Sequence, residues 1–209
     1  EKALKEITFK ESDAWRHSSH NEQEKIFKRI SDRFEEEKYK FFYLLANEAG
    51  KTLKDCDAEV RESIDFINYY SVHAKRIFND IELESPSGEK NFLRHSPKGT
   101  FLCISPWNFP MAIFIGQISA ALLTGNTVIA KPAEDTSLIA SEIVKVFHDC
   151  GVPQDALHLV IGGKDAGNQL TKINTLSGVA FTGSTSAAKK INLNLAESDG
   201  KIKTLIAET

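Results

Sequence analysis

The sequence contains little cysteine, no long apolar run and no excess of basic residues, and each of these absences excludes a class of protein. Only three cysteines occur among the 209 residues, Cys56, Cys103 and Cys150, and no two of them form a C-x-x-C pair. A disulfide framework or a structural zinc site is therefore not expected. His17 and His20 alone do not make a metal site, and we interpret them as surface residues.

The charge balance and the hydropathy pattern exclude two further classes. The chain has 26 basic and 29 acidic residues, so its net charge is 26 − 29 = −3, and no basic patch predicts binding to nucleic acid or to an anionic membrane. No apolar run is long enough to cross a bilayer, and the first residues lack the apolar core of a signal peptide. With 41% hydrophobic residues the chain can bury a core. Because its cysteines are few and show no disulfide pattern, we predict a cytoplasmic protein.

The first hundred residues predict two long helices and an extended arm. An apolar stripe predicts a helix over 21–49, which Gly50 ends, and a second helix over 57–78. We interpret the two as a packed helical hairpin without chemistry of its own. Residues 81–100 contain a Ser-Pro-Ser-Gly turn and predict a hairpin or arm, whose open edge a second chain or another part of the protein covers.

From residue 101 onwards, short apolar runs alternate with helical patterns. The predicted strands are 101–104, 127–130, 157–161, 178–181 and 203–206, and the predicted helices are 110–124, 137–150, 165–173 and 184–197. Strands that alternate with helices predict an α/β fold with a doubly wound parallel sheet.

A stiff turn follows the first of these strands. Pro106 and Pro110 fix the backbone at both ends of the segment Ser105-Pro106-Trp107-Asn108-Phe109-Pro110. The turn holds the polar side chain of Asn108 at the carboxyl end of a strand, where ligands bind in open α/β sheets. The alternative interpretation is that Asn108 caps the next helix.

Two other strand ends carry polar residues that could bind a ligand. Glu134 comes just after the second strand, where an acidic side chain can accept hydrogen bonds from ribose hydroxyls, and Lys131 can donate to the same sugar. Alternatively, Glu134 only interacts favourably with a helix dipole. After the fourth strand, Thr182-Gly183-Ser184 opens a helix whose free amides can attract phosphate, or Ser184 is a simple N-cap.

Two common oxidoreductase motifs are missing. No G-x-G-x-x-G follows the first strand, and Gly162-Gly163 does not replace it, so a conventional Rossmann fingerprint is absent. The Tyr-x-x-x-Lys pair of short-chain reductases is also missing, because Tyr39 and Tyr69 are followed four residues later by tyrosine and histidine. That enzyme class is disfavoured.

Taken together, the motifs resemble those of the aldehyde dehydrogenase superfamily, in order and in spacing, over nearly the whole chain. They are Pro106-Trp107-Asn108-Phe109-Pro110, Lys131-Pro132-Ala133-Glu134, Phe181-Thr182-Gly183-Ser184 and Glu208. Three other segments are similar to the L-glutamate γ-semialdehyde (1-pyrroline-5-carboxylate) dehydrogenase domain of bifunctional proline utilisation A. These are Glu48-Ala49-Gly50-Lys51-Thr52, Ala58-Glu59-Val60-Arg61-Glu62 and Asp65-Phe66-Ile67-Asn68-Tyr69-Tyr70.

The resemblance implies a Rossmann-like NAD-binding fold and the NAD-dependent oxidation of L-glutamate γ-semialdehyde to L-glutamate in proline catabolism, through a covalent thioester. Asn108 would donate its side-chain amide to the oxyanion that forms when a thiolate adds to the aldehyde carbon. A preorganised donor of this kind contributes about 3 kcal/mol. Glu208 would be the general base that activates water to hydrolyse the thioester.

The resemblance also assigns the cofactor site. Lys131 and Glu134 would hold the adenosine ribose, and Glu134 would repel a 2′-phosphate, which favours NAD over NADP. Gly183 and Ser184 would lie at the pyrophosphate, although Ala188 stands where the family often has glycine. Trp107 would lie along the cofactor near the nicotinamide, or it is a buried structural residue. The other implied cofactor-binding residues are Ser105, Pro106, Ala133 and Thr182.

The chain departs from the family in one respect, because the nucleophilic cysteine should follow the general base by some tens of residues. The sequence ends one residue after Glu208, and we interpret the three cysteines as structural. We therefore expect an N-terminal helical part (1–80), an arm (81–100) and a βαβ dinucleotide-binding core (101–209) that stops before the catalytic domain. This fragment is predicted to be inactive alone.

The partners that the resemblance implies are a small aldehyde, a second copy of the parent protein in a homo-oligomer, and a fused proline dehydrogenase domain outside this chain. Three alternatives stay open: a non-catalytic NAD-binding module, an assembly module that acts through the arm, and a dehydrogenase for another aldehyde.

Overall fold

The computed structural model describes residues 11–209, and its helices and strands follow the predicted alternation. In chain order they are α1 (Asp13–Arg16), α2 (His20–Glu36), α3 (Lys38–Glu48), α4 (Leu53–Ile77), β1 (Ile81–Leu83), β2 (Asn91–Leu93), β3 (Thr100–Ile104), α5 (Ala112–Leu123), β4 (Thr127–Lys131), α6 (Ser137–Asp149), β5 (Leu157–Leu159), α7 (Lys164–Leu170), β6 (Leu176–Thr182), α8 (Thr185–Ala196) and β7 (Thr204–Glu208). A short 3₁₀ turn, Glu134–Thr136, leads into α6.

Five of the strands form one parallel sheet in the order β5-β4-β3-β6-β7. The first of them along the chain, β3, therefore lies in the centre, and the chain winds first to one side of it and then to the other. This is the strand order of the doubly wound dinucleotide-binding folds. The predicted fold class is confirmed.

The central strands β3 and β4 are buried on both faces because their alternate residues enter two separate cores. In β3, Cys103 belongs to the core that includes α2–α6, whereas Leu102 belongs to the core beneath α7 and α8. In β4, Val128 enters the first core and Ile129 enters the second. This alternation explains why the strands are continuous apolar runs.

The N-terminal helices differ from the prediction in two places. The predicted single helix over 21–49 is wrong, since the chain leaves helical geometry at Glu37 (φ −96°, ψ 13°) and α3 begins again at Lys38. This bend brings Phe34 and Phe41 edge to face in the core, with ring centroids 5.1 Å apart. Helix α4 begins four residues before the predicted position 57, because the Thr52 hydroxyl caps it and accepts a hydrogen bond from the Asp55 amide.

The arm forms as predicted, with β1 and β2 antiparallel. Residues 1–10 of the predicted N-terminal part lie outside the described residues. Within residues 11–209, no helix is long and apolar enough to cross a membrane.

Candidate active site

The polar strand ends meet along one edge of the sheet. Ile104, at the end of β3, is level with Lys131 of β4 and with Phe181 of β6, and Thr182 is level with Glu208 of β7. The winding reverses between β3 and β6, so this edge is the topological switch point at which ligands bind in doubly wound sheets.

In the turn after β3, the side-chain amide of Asn108 is exposed at this edge. Ser105 is buried, its backbone N–H donates to the Lys131 carbonyl at 3.2 Å, and its hydroxyl oxygen has no partner among residues 11–209. Pro106 is half-buried, and Trp107 is 59% exposed, so the interpretation of Trp107 as a buried structural residue is wrong. Asn108 is exposed, and within the described part of the chain its side chain has no hydrogen bond.

A carboxylate from α4, not Asn108, caps the helix that follows this turn. The N-cap of α5 is Met111, which makes no side-chain capping bond. Instead the buried Glu59 accepts hydrogen bonds from the Met111 and Ala112 amides through Oε1, at 2.8 and 3.2 Å. The capping interpretation of Asn108 is therefore wrong, and helix α5 also starts later than the predicted residue 110.

At the end of β4, a buried amine lies beside an exposed carboxylate. Lys131 is 6% exposed and its Nζ donates to the Pro132 carbonyl at 3.0 Å. Burial lowers the pKa of Lys131, and the nearby Glu134 carboxylate partly opposes this change. Glu134 is exposed at the start of the 3₁₀ turn, and Ala133 is half-buried.

Two glycines of the neighbouring loop and helix leave room around this pair. A β-carbon on Gly163 would lie 2.5 Å from Oε2 of Glu134, and one on Gly167 of α7 would lie 3.4 Å from Cε of Lys131. Glycine at position 163 therefore lets the β5–α7 segment approach the Glu134 carboxylate closely, whereas a β-carbon at position 167 would only make an ordinary van der Waals contact with Lys131. No role was predicted for either glycine from the sequence.

The end of β6 leads into α8 through a turn that is tied to β7. The Gly183 N–H donates to the Glu208 carbonyl at 3.1 Å. Ser184 is the N-cap of α8, and its hydroxyl accepts a hydrogen bond from the Ala187 amide at 3.3 Å. The predicted capping bond is confirmed, and a neutral cap of this kind is compatible with phosphate binding at the same turn. Ala188 is buried in the second core.

A glutamine side chain joins β3 and β6 at the switch point. Nε2 of Gln117, on α5, donates both to the Ile104 carbonyl at 3.2 Å and to Oγ1 of Thr182 at 3.1 Å. Thr182 is half-buried there. The contact keeps the ends of the two strands in register across the crevice.

The three long helices that begin at this edge differ in the charge of their caps. The Glu48 carboxylate accepts hydrogen bonds from the Leu138 and Ile139 amides of α6, both at 2.7 Å, as Glu59 does for α5. Helix α8 is capped only by the neutral Ser184. An anion at this edge is repelled by the Glu48 carboxylate at α6 and attracted by the positive dipole end of α8. At α5, the charge of Glu59 is compensated by Lys51, whose Nζ lies 2.6 Å from the carboxylate.

Glu208 lies beside a cavity of about 320 Å³ between α4, α5 and the sheet. Its lining includes Phe66, Tyr70, Gln117 and Ile206. Burial raises the pKa of Tyr70, and the charges of Tyr69 and Glu208 add to this shift. A carboxylate at the rim of a cavity of this size could take a proton from a small molecule inside it.

None of the cysteines is prepared for nucleophilic attack. All three are buried and free, and burial raises the pKa of the Cys103 thiol to about 12. In the described part of the chain, no group of three potential metal ligands comes together.

Sequence reasoning missed several residues that shape the site. Gln117 and the capping residues Glu48 and Glu59 act on segments that are distant in sequence. Glu48, Lys51 and Glu59 do lie within the segments quoted above for their family resemblance, which is the one signal that could have marked them.

A parallel sheet of this order, with polar groups gathered at its switch point, defines a doubly wound α/β protein of the dinucleotide-binding class. The chain belongs to the aldehyde dehydrogenase family, since the family model described as "Aldehyde dehydrogenase family" matches residues 2–209.

Comparison with individual relatives shows which members of this family the chain is similar to. The chain is 42% identical over 199 residues to the bifunctional protein PutA of Salmonella typhimurium, which covers 93% of this chain and 14% of that protein. It is 36% identical over 171 residues to 1-pyrroline-5-carboxylate dehydrogenase 1 of Halalkalibacterium halodurans, covering 81% of this chain and 33% of the relative. A crystal structure of a proline utilization A (PutA) mutant from Bradyrhizobium japonicum superposes with a TM-score of 0.92 at 43% identity, over 94% of this chain and 20% of that one.

The predicted resemblance to proline utilisation A and 1-pyrroline-5-carboxylate dehydrogenases is confirmed. The chain spans only 14% of the length of the PutA relative and a third of the dehydrogenase.

Proposed function

We propose that this chain is the nucleotide-binding part of an NAD-dependent dehydrogenase that oxidises L-glutamate γ-semialdehyde, formed from 1-pyrroline-5-carboxylate, to L-glutamate. Family membership and the names of the relatives support the reaction class and the substrate. The observation that supports the proposal is that β3, β4, β6 and β7 end at one edge of the sheet. Asn108, the Lys131–Glu134 pair, the N-terminus of α8 and Glu208 lie at these strand ends or just after them in the sequence.

The charges at this edge support a definite orientation of the dinucleotide. Its pyrophosphate is expected at α8, the long helix whose N-terminus holds no carboxylate, with Gly183 allowing close approach. In this orientation Lys131 and Glu134 bind the adenosine ribose, where the Glu134 carboxylate opposes a 2′-phosphate. Ser105, Pro106, Trp107, Ala133 and Thr182 complete the proposed contacts. When bound, NAD accepts the hydride from the substrate.

Asn108 and Glu208 act on the substrate in the proposed reaction. A cysteine thiolate outside this chain adds to the aldehyde carbon, and the Asn108 amide donates a hydrogen bond to the resulting oxyanion. After the hydride has left, the carbon is a thioester. Glu208 takes a proton from water, the hydroxide attacks the thioester, and the carboxylate product leaves with release of the thiol.

The purified 209-residue chain is expected to bind NAD without oxidising the aldehyde. Isothermal titration should give a Kd for NAD at least about tenfold lower than for NADP, a difference of about 1.4 kcal/mol. The double variant Lys131→Ala/Glu134→Ala should give no heat with NAD. An assay with NAD and glutamate semialdehyde should produce no NADH, because the three cysteines are buried.

A matched control removes one lysine and one acidic residue from the exposed Lys28–Asp32 ion pair on α2. Lys28→Ala/Asp32→Ala should bind NAD as the unchanged chain does. Absence of heat with the unchanged chain contradicts the proposed binding role, and measurable NADH production contradicts the proposed need for an external cysteine.

We propose further that the arm mediates assembly of a cytoplasmic homo-oligomer, to which a proline dehydrogenase domain could also be fused. Ile81, Leu83, Phe92 and Leu93 are each 44–46% exposed on β1 and β2. Removal of residues 81–93 from the complete protein is expected to lower its mass in light scattering to that of a monomer. An unchanged mass would exclude the arm as the interface.

A further inference from the structure

The turn that carries Asn108 is held in place by two charged residues of the preceding helical part. The buried Glu59 accepts the Met111 and Ala112 amides through one carboxylate oxygen. Its other oxygen forms an ion pair with Nζ of Lys51 at 2.6 Å, and the Lys51 side chain is only 13% exposed. The carboxylate therefore fixes the backbone just after the turn.

Lys51 also contacts the turn directly. Its Nζ lies 4.2 Å from the centre of the Phe109 ring, which is adjacent to Asn108 in sequence. A cation over an aromatic face is attracted to it, so the ammonium group holds this side chain as well. Lys51 contacts the residue before Pro110, and Glu59 binds the amides of the two residues after it. The side chain of Asn108 makes no hydrogen bond within residues 11–209.

We propose that Lys51 and Glu59 are positioning residues that aim the Asn108 amide at the oxyanion. The inference rests on the proposed function, because it requires the oxyanion role of Asn108. A donor contributes to catalysis only if it is preorganised at the position where charge develops. Lys51 has a second effect, since it neutralises Glu59, whose unpaired carboxylate would repel a nearby oxyanion.

The test uses the complete enzyme that contains this segment. Lys51→Met is expected to lower kcat about tenfold while leaving KM for NAD unchanged, because misplacement of a catalytic group by a fraction of an ångström is costly. Lys51→Arg should restore kcat, since arginine can keep both the ion pair and the contact with Phe109. Lys75→Met, at an exposed ion pair with Glu24, is the matched control and should leave kcat unchanged.

A double-mutant cycle separates positioning from a general structural effect. In an Asn108→Ala background, Lys51→Met should change kcat less than twofold, because the residue through which it acts is absent. If Lys51→Met alone does not fold, Lys51→Met/Glu59→Gln replaces the buried pair with neutral residues of similar volume and is expected to fold. This double variant should also lower kcat.

The outcomes distinguish the two proposals. Unchanged kcat in a folded Lys51→Met or Lys51→Met/Glu59→Gln enzyme overturns the inference, as does an equal loss with and without Asn108. If Asn108→Ala itself keeps full kcat, the proposed function of the site fails instead.

Discussion

A complete enzyme that carries Glu208→Gln is expected to produce one equivalent of NADH per active site and then to turn over about 10²–10⁴-fold more slowly. The proposed role of Glu208 begins only after the hydride has left, so the first half-reaction should proceed. Glutamine cannot accept a proton from water, and the thioester should accumulate. Stopped-flow absorbance of NADH, followed by intact-protein mass spectrometry of the acylated enzyme, measures both effects.

The position of Glu208 supports this order of events. It is the last residue of β7, level with Thr182 and at the rim of the 320 Å³ cavity. Glu197→Gln removes an exposed carboxylate just after α8 and should leave both the burst and the steady state unchanged. A Glu208→Gln enzyme with normal steady-state turnover, or with no first equivalent of NADH, would contradict the assigned role.

Much of the fold could be predicted because the signals that determine it are local. Strands buried on both faces appear in the sequence as short apolar runs, as in 127–130. The alternation of these runs with helical patterns is sufficient to predict the fold class. Element boundaries were less accurate, because they depend on individual caps and contacts. Because Thr52 caps α4, this helix begins four residues before the predicted position. The bend at Glu37 allows the ring of Phe34 to pack against that of Phe41.

The parts of the site that could not be predicted depend on contacts between distant residues. Glu59 caps a helix 52 residues away, Glu48 bonds to an amide 91 residues away, and Gln117 reaches Thr182 across 65 residues. No periodic pattern marks such partners. A polar residue on an amphipathic helix usually faces solvent, and nothing local distinguishes Glu59, which is 1% exposed, from its exposed neighbours.

Replacement of Asn108 by alanine in the complete enzyme is expected to lower kcat about 10²–10³-fold, which corresponds to about 3–4 kcal/mol of transition-state stabilisation. The proposed oxyanion forms before the hydride leaves, so this variant should slow the first equivalent of NADH as well as the steady state. It therefore differs from Glu208→Gln, which should slow only the second half-reaction. The same stopped-flow measurement separates the two.

The side chain of Asn108 bonds to no other group in the described residues, so its removal should leave the fold intact. Thermal unfolding of Asn108→Ala should therefore match that of the unchanged enzyme, and KM for NAD should stay constant. Asn21→Ala, at an exposed position of α2, is the control for loss of an amide group. A fast first equivalent of NADH from Asn108→Ala would mean that the oxyanion is stabilised by other donors. The exposed side-chain amide of Asn108 would then need a different function.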